Sequence, residues 1–485
     1  MQTHTTPMYK FKTKPYEHQK DALKKCWNKE AFAIFAEMGT GKTKIALDNA
    51  CILYNKGKID RLLVVAPKGA YMNWVDLEIP THVPDYINTK VLAWKPSTSA
   101  KYKAQLKDIM DLSDYRLKIM VMNVEAFSTK KGLNFAKLFL IGRSMIIVDE
   151  STTIKNPQAK RTKSMLSLAK EAKYRRIMTG SPVTQSPMDL WSQMDFLDPE
   201  ILGQSSFYAF RTRYAVMITA SAAGGTHKFQ KIVKFRNLEQ LGRLVSPHSY
   251  RILKKDCLDI PDKIFTKRDI ELSEEQQKAY QEMKANAMTV LKDKSMTAVN
   301  VLTQLIRLHQ ITCGHMKTDD DEVIELKNNR LNELMQILGE TTGKVIIWAN
   351  YIHDIHTIEK AIKEEFGSQS YCTYYGGTKQ EDRQSCITKF QDELNPIRFF
   401  IGNTQTGGYG ITLTQASTVI YYSNNYDLEK RMQSEDRAHR IGQKNKVLYI
   451  DLVAKGTVDE KIIQSLRNKV NIARQISGEE LVNWI

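Results

Sequence analysis

The chain has 485 residues, enough for roughly two to four domains with sizeable cores, which excludes a small stapled scaffold. Its 42% hydrophobic and 26% charged residues are those of a globular protein and exclude a disordered chain or a membrane bundle. Charge is the unusual quantity: 71 Lys and Arg against 54 Asp and Glu leave a net +17 with His neutral, which suggests a polyanionic partner.

The start, MQTHTTPMYKFKTKPYEH, lacks the apolar core of a signal peptide, and no run of about 18 apolar residues occurs, so a cytoplasmic protein with no membrane partner is expected. Short apolar runs closed by Gly, Pro, Asp or Asn then predict buried parallel strands at 31–37, 61–67, 118–124, 144–150 and 175–180. Polar stretches with helical spacing, such as 42–57, lie between them. The middle of the chain breaks this alternation. Residues 207–235 predict a β-hairpin about Gly224-Gly225, and 273–310 predict a long helical stretch. Further apolar runs at 344–350, 397–403, 417–423 and 447–453, with a helix over 353–367, restore the alternation.

Two such blocks predict an α/β protein with two doubly wound parallel-sheet lobes and mainly helical protrusions between them. The expected divisions are 1–190 for the first lobe, 191–330 for protrusions and linker, 331–454 for the second lobe and 455–485 for a closing helix and tail. The six cysteines show no C-x-x-C pair and no Cys/His cluster at zinc spacing, which predicts reduced, mostly buried thiols and no zinc.

Between a buried strand and a helix, AFAIFAEMGTGKTKIAL (31–47) places Gly39, Thr40, Gly41, Lys42 and Thr43 in a phosphate-loop arrangement, with Ala36 in place of the first glycine of the strict pattern. Glycines let backbone N–H groups wrap phosphates, Lys42 reaches the terminal phosphates, and the Thr43 hydroxyl is suited to Mg²⁺. The matching acidic strand is MIIVDEST (145–152), with Asp149 and Glu150 at its carboxyl end, where ligands of open α/β sheets bind. Asp149 is expected to hold Mg²⁺ through water and Glu150 to polarise the attacking water. In QSEDRAHRIGQ (433–443), Arg437 and Arg440 share a helix face and can reach one anionic phosphate, with Gln433 a turn earlier.

The ordered series PYEHQ, EMGTGKT, VVAPKGAYMNW, VMNVEAF, VDESTTIKN, MTGSPV, RILKKDCLDIPDK, KVIIWANY, YYGGTKQEDR, NTQTGGYGITLTQAS and QSEDRAHRIGQ closely resembles the Swi/Snf-type DNA-dependent ATPases of helicase superfamily two, over almost the whole chain. The resemblance implies two RecA-like lobes and use of ATP with Mg²⁺. It implies that Gln19 reads adenine, that Gly410 and Gln433 join the ATP-binding set, and that Arg437 and Arg440 act as arginine fingers. Thr179 and Ser181 in MTGSP would couple the ATP site to DNA, and Lys68, Trp74, Asn123, Thr404, Thr406 and Gly408 fall in segments that line the DNA track. Residues 455–469 resemble the family's brace. The chain looks like a bare, monomeric motor of the compact phage or bacterial kind.

Three departures stand out: Ser151-Thr152 where the family more often has Ala and His, Gln405 where it usually has Arg, and Tyr426-Asp427-Leu428 in place of Trp-Asn-Pro. Basic residues gather at 155–176, in the hairpin, and at Arg251, Lys254, Lys255, Lys263 and Lys267, beside segments expected to face nucleic acid. They predict sequence-independent, salt-dependent binding of double-stranded or branched DNA. The expected activity is ATP-driven translocation on duplex DNA. A strand-separating or branch-migrating helicase and a nucleotide-gated DNA-binding scaffold stay open beside it.

Overall fold

The computed structural model describes residues 9–97, 99–111, 113–221, 228–292, 298–317, 322–407 and 411–477. They form two compact units. One takes in the chain up to Ala215, Phe235–Asp259 and the segment from Ile472; the other takes in Val216–Lys234 and Ile260–Asn471.

The first unit is built on β1 (Ala31–Ala36), β2 (Arg61–Ala66), β3 (Thr89–Ala93), β4 (Leu117–Asn123), β5 (Ser144–Asp149) and β6 (Tyr174–Thr179). The chain then leaves through β7 (Ala215–Ser221) and β8 (Lys228–Phe235), which form their own two-stranded sheet, and returns with β9 (Ser249–Ile252). The seven strands lie in the order β3-β4-β2-β5-β6-β1-β9, and every neighbouring pair is parallel. Two registers matter for function: Phe35 pairs with Thr179, and Asp149 with Met178. The carboxyl ends of β5, β6 and β1 are therefore neighbours, and the loops that follow them meet on one edge of the sheet.

The second unit carries β10 (Lys263–Ile270), a small antiparallel pair of β11 (His315–Lys317) and β12 (Val323–Glu325), and then β13 (Lys344–Trp348), β14 (Tyr371–Tyr374), β15 (Phe399–Gly402), β16 (Ala416–Tyr421) and β17 (Val447–Ala454). Six of these form a parallel sheet ordered β10-β17-β16-β13-β15-β14. The α/β class with two doubly wound parallel sheets is thus the observed fold.

Burial explains which strands form the centres. β2 and β5 are buried at every position, so their Leu, Ile and Val side chains pack against helices on both faces, each worth about 1.5–3 kcal/mol when fully buried. The second sheet has one apolar core on each face, around Ile347 and Ile401 on one side and Trp348 and Phe400 on the other.

Several expectations change. The stretch 191–330 supplies more than protrusions, because β9 and β10 complete one edge of each sheet. Residues Phe207–Tyr214 are a helix and not part of the hairpin. Ser206 caps it by accepting the Ala209 N–H at 3.2 Å, and Phe210 packs its ring 5.4 Å from Trp191. Gly224-Gly225 lie outside the described residues. The stretch 273–310 holds two helices, Glu274–Lys292 and Ala298–Cys313. Cys372 and Cys386 are joined by a disulfide, against the expectation of reduced thiols throughout. One lies on strand β14 and its partner on the helix Gln380–Gln391 packed beside it, a proximity that spacing along the chain does not reveal. Cys26, Cys51 and Cys313 are buried thiols, and Cys257 is half-buried.

Candidate functional site

The loop after β1 turns on Gly39 and Gly41, both at φ 83°. At Gly41 the left-handed backbone opens the helix Lys42–Asn55, and a Cβ there would lie 2.1 Å from Gln19 Nε2. The left-handed backbone is what requires glycine, and a Cβ would in addition push the Gln19 amide aside. Thr40 tightens the turn by donating from Oγ1 to the Glu37 carbonyl at 2.7 Å. Gln19, buried on the helix Glu17–Cys26, donates from Nε2 to the Thr40 carbonyl at 3.2 Å and accepts the Tyr16 N–H at 3.0 Å. His18 Nε2 also reaches the Thr40 carbonyl, at 2.8 Å. Gln19 therefore braces the loop from behind, keeping one amide N–H beyond these two bonds.

Lys42 and Thr43 stand at the first turn of the helix, half-exposed. Lys42 Nζ lies 3.2 Å from Glu150 Oε1, so the loop after β1 and the acidic end of β5 are in direct ionic contact. Glu150 sits at φ 48°, ψ 64°, the left-handed region that a Glu adopts only at a cost of order 1–3 kcal/mol. Its Oε2 accepts from the Thr179 hydroxyl at 3.3 Å, and Thr179 Oγ1 in turn accepts the Ser181 N–H at 3.2 Å. Lys42, Glu150 and Thr179 are thus brought together from three separate motifs.

Asp149 is held on both oxygens. Oδ1 accepts the Glu150 N–H at 3.0 Å, and Oδ2 accepts Trp74 Nε1–H at 3.0 Å. Burial, and then the neighbouring Glu150 charge, push its carboxyl up to about 6, while Lys42 and the Trp74 hydrogen bond pull the other way. Trp74, expected on the DNA track, is 2% exposed and serves this carboxylate instead. A buried indole cannot meet a duplex; the segment YMNW turns it inward, at the start of the wide turn Trp74–Glu78.

The remaining DNA-track residues divide. Lys68 is exposed. Asn123 is half-buried, and its Oδ1 accepts the Ala126 N–H at 2.9 Å, capping the turn after β4. In the second unit Thr404 is buried and Thr406 half-buried in a short helical turn after β15. Gly408 and Gly410 lie outside the described residues.

The second unit presents its arginines from the helix Leu428–Ala438, capped by Asp427. Arg437 is in the last turn and Arg440 lies just beyond the helix end, so they do not share a helical face. They still converge: their guanidinium groups donate to the same Ile411 carbonyl at 3.2 and 3.3 Å. Arg437 Nε also donates to the Gln433 carbonyl at 3.0 Å, and Gln433 is buried.

Beneath them runs a buried ion network that sequence reading missed. Arg431 donates to Glu435 Oε1 at 2.8 Å and to Asp451 Oδ2 at 3.1 Å, and Lys263 Nζ donates to Glu435 Oε2 at 3.0 Å. His439 Nε2 meets the Pro261 carbonyl at 2.8 Å. The chain entering β10 is thereby fastened to the arginine-bearing helix.

Part of the basic surplus is structural for the same reason. Arg176, counted within the 155–176 cluster, is fully buried and donates to Asn49 and to the carbonyls of Cys26, Lys29, Glu30 and Arg175. Lys254 is buried, and Lys263 is engaged as described. Lys160, Lys163, Lys170 and Lys173 are exposed.

Among the described residues no group of three or more His, Cys, Asp or Glu is arranged to hold a metal by itself. No described helix is long and apolar enough to cross a membrane.

Comparison with known proteins matches residues 18–317 to the SNF2-related domain and residues 326–442 to the helicase conserved C-terminal domain. The chain is 26% identical to the CHD3-type chromatin-remodeling factor CHR7 of Arabidopsis thaliana, covering 94% of this chain and 37% of that protein. It is 27% identical to the putative ATP-dependent helicase/translocase YwqA of Bacillus subtilis (strain 168), covering 87% and 44%. The chain thus spans less than half the length of these relatives. A solved structure, the Sulfolobus solfataricus SWI2/SNF2 ATPase core in complex with dsDNA, is 24% identical, with 98% of this chain and 99% of that chain covered and a TM-score of 0.43.

Proposed function

Because the chain belongs to the SNF2-related family, we propose that it is an ATP-driven motor that moves along double-stranded DNA without reading its sequence. One observation carries this reading: Lys42, Glu150 and Thr179, from three motifs of a hydrolytic site, meet at the carboxyl ends of adjacent strands, with Asp149 held beside them. Gly39, Thr40 and Gly41 wrap the phosphates of ATP, Lys42 contacts the terminal ones, and Gln19 offers its remaining N–H to the adenine edge. Glu150 orients the attacking water, and Arg437 and Arg440 answer charge on the γ-phosphate.

A Mg²⁺ ion fits the oxygens at hand. Thr43 at the helix start and the Asp149 carboxylate are hard donors, and a site with so few protein ligands suits an ion completed by phosphate and water. When bound, the ion neutralises phosphate charge. Asp149 is already oriented for it by Trp74 and the Glu150 N–H.

Lys68 and the exposed lysines of 160–173 supply phosphate contacts without base readout, and branched DNA would meet the same surface. The deciding measurement is ATP turnover with and without duplex DNA at two salt concentrations. Stimulation by duplex, weaker at high salt, is expected; a rate indifferent to DNA refutes the motor. Strand displacement on forked and blunt duplexes separates movement from unwinding. Glu150→Gln should keep ATP binding and lower turnover by about three orders of magnitude or more.

A further inference from the structure

Glu150 is one of two non-glycine residues at positive φ among the described residues. Such a conformation persists only where its surroundings over-determine it. What surrounds Glu150 is a closed ring of contacts. Its carboxylate accepts from Thr179 at 3.3 Å, Thr179 accepts the Ser181 N–H at 3.2 Å, and Pro182 follows in the chain. The Pro182 carbonyl accepts Gln193 Nε2 at 2.8 Å, Gln193 Oε1 accepts the Ser151 hydroxyl at 2.6 Å, and Ser151 is the next residue after Glu150.

Gln193 is the member that closes this ring, and it lies outside every motif of the sequence, on the helix Leu190–Leu197. Its amide orientation is dictated by its partners. The second N–H donates to the Asp189 carbonyl at 2.7 Å, so both donors face carbonyls and the oxygen faces a hydroxyl. Ser151 and Gln193 are both fully buried, so water cannot replace a lost partner. The neighbouring Ser192 hydroxyl donates to the Lys155 carbonyl at 3.3 Å, so one helix turn grips the loops after β5 and β6 together. Ser151 is also where this chain departs from the commoner Ala, and its hydroxyl is what Gln193 accepts.

We propose that Gln193, through Ser151 and Pro182, is a positioning residue that holds Glu150 in its left-handed conformation with its carboxylate between Lys42 and Thr179. This rests on the assignment of Glu150 to ATP hydrolysis. Ser151→Ala and Gln193→Leu each open the ring without touching Lys42, Asp149 or the phosphate loop. Each should lower kcat by about 10–100-fold, the scale on which small misplacements act, with KM for ATP and affinity for a non-hydrolysable analogue unchanged. Since a ring opens once, the double variant should lose no more than the worse single one.

Ser151→Ala removes one atom and adds no bulk, so it decides the matter if Gln193→Leu does not fold. Wild-type turnover in folded Ser151→Ala, or losses that add in the double variant, would overturn the proposal. So would a fall in melting temperature with turnover per folded molecule unchanged. A wild-type protein that does not hydrolyse ATP would overturn the motor as well, and that control is read from the wild type alone.

Discussion

Replacing Trp74 with Phe keeps a smaller aromatic ring in a site that is 2% exposed and deletes the one polar group there, the N–H that donates to Asp149 Oδ2 at 3.0 Å. A hydrogen bond to a charged group is worth about 1.5–3 kcal/mol, and each 1.4 kcal/mol is about a factor of ten in an equilibrium constant. Removing groups that orient metal ligands costs about 10–100-fold in metal affinity, which agrees. Trp74→Phe should therefore raise the Mg²⁺ concentration that half-saturates ATP turnover by about 10–100-fold, with turnover largely restored at high Mg²⁺. Binding of Mn²⁺ in the presence of ADP, followed by electron paramagnetic resonance, should weaken in parallel without any turnover. A wild-type Mg²⁺ dependence in the variant, or a change confined to its melting temperature, would refute this role of Trp74.

Arg431 is buried against Asp451 and Glu435, so Arg431→Leu takes away the ion pair of buried Asp451, leaves Glu435 with Lys263, and should destabilise the second unit by about 3–5 kcal/mol, measured as an earlier thermal transition. Arg437 sits on the same helix, so turnover should fall as well. Gly41→Ala forces a left-handed Ala whose Cβ would lie 2.1 Å from Gln19 Nε2; loss of nucleotide binding in a folded protein, by equilibrium titration, is expected. Thiol titration of the unreduced, denatured chain should count four free cysteines, and six after reduction. Reduction should also lower stability by about 3 kcal/mol for a loop of this length, read by denaturant unfolding.

The strands that periodicity found and those it missed follow one rule. The nine predicted runs are strands, all of them interior to their sheets, and so apolar almost throughout. In the two parallel sheets the four strands that escaped notice, β3, β9, β10 and β14, are the four edges. An edge strand is half in water; KIFTKRDI in β10 carries four charges and still pairs along its whole length with β17. Apolar periodicity cannot register it, since its partner comes from nearly two hundred residues further on.

The candidate site divides in the same way. Phosphate-loop glycines, Lys42, Asp149, Glu150 and the arginines are legible because each works within a contiguous segment, where spacing fixes geometry. Trp74 was misplaced, Gln193 unnoticed and Arg176 counted as surface charge, because what they touch lies 75, 42 and up to 150 positions away. The net +17 of the sequence already pointed to a polyanion; which of its cations face solvent and which hold carbonyls in the interior was decided by burial. A one-dimensional pattern encodes the local turn, the strand core and the charge. The non-local hydrogen bonds that aim Asp149 and Glu150 exist only once β1, β5 and β6 lie side by side.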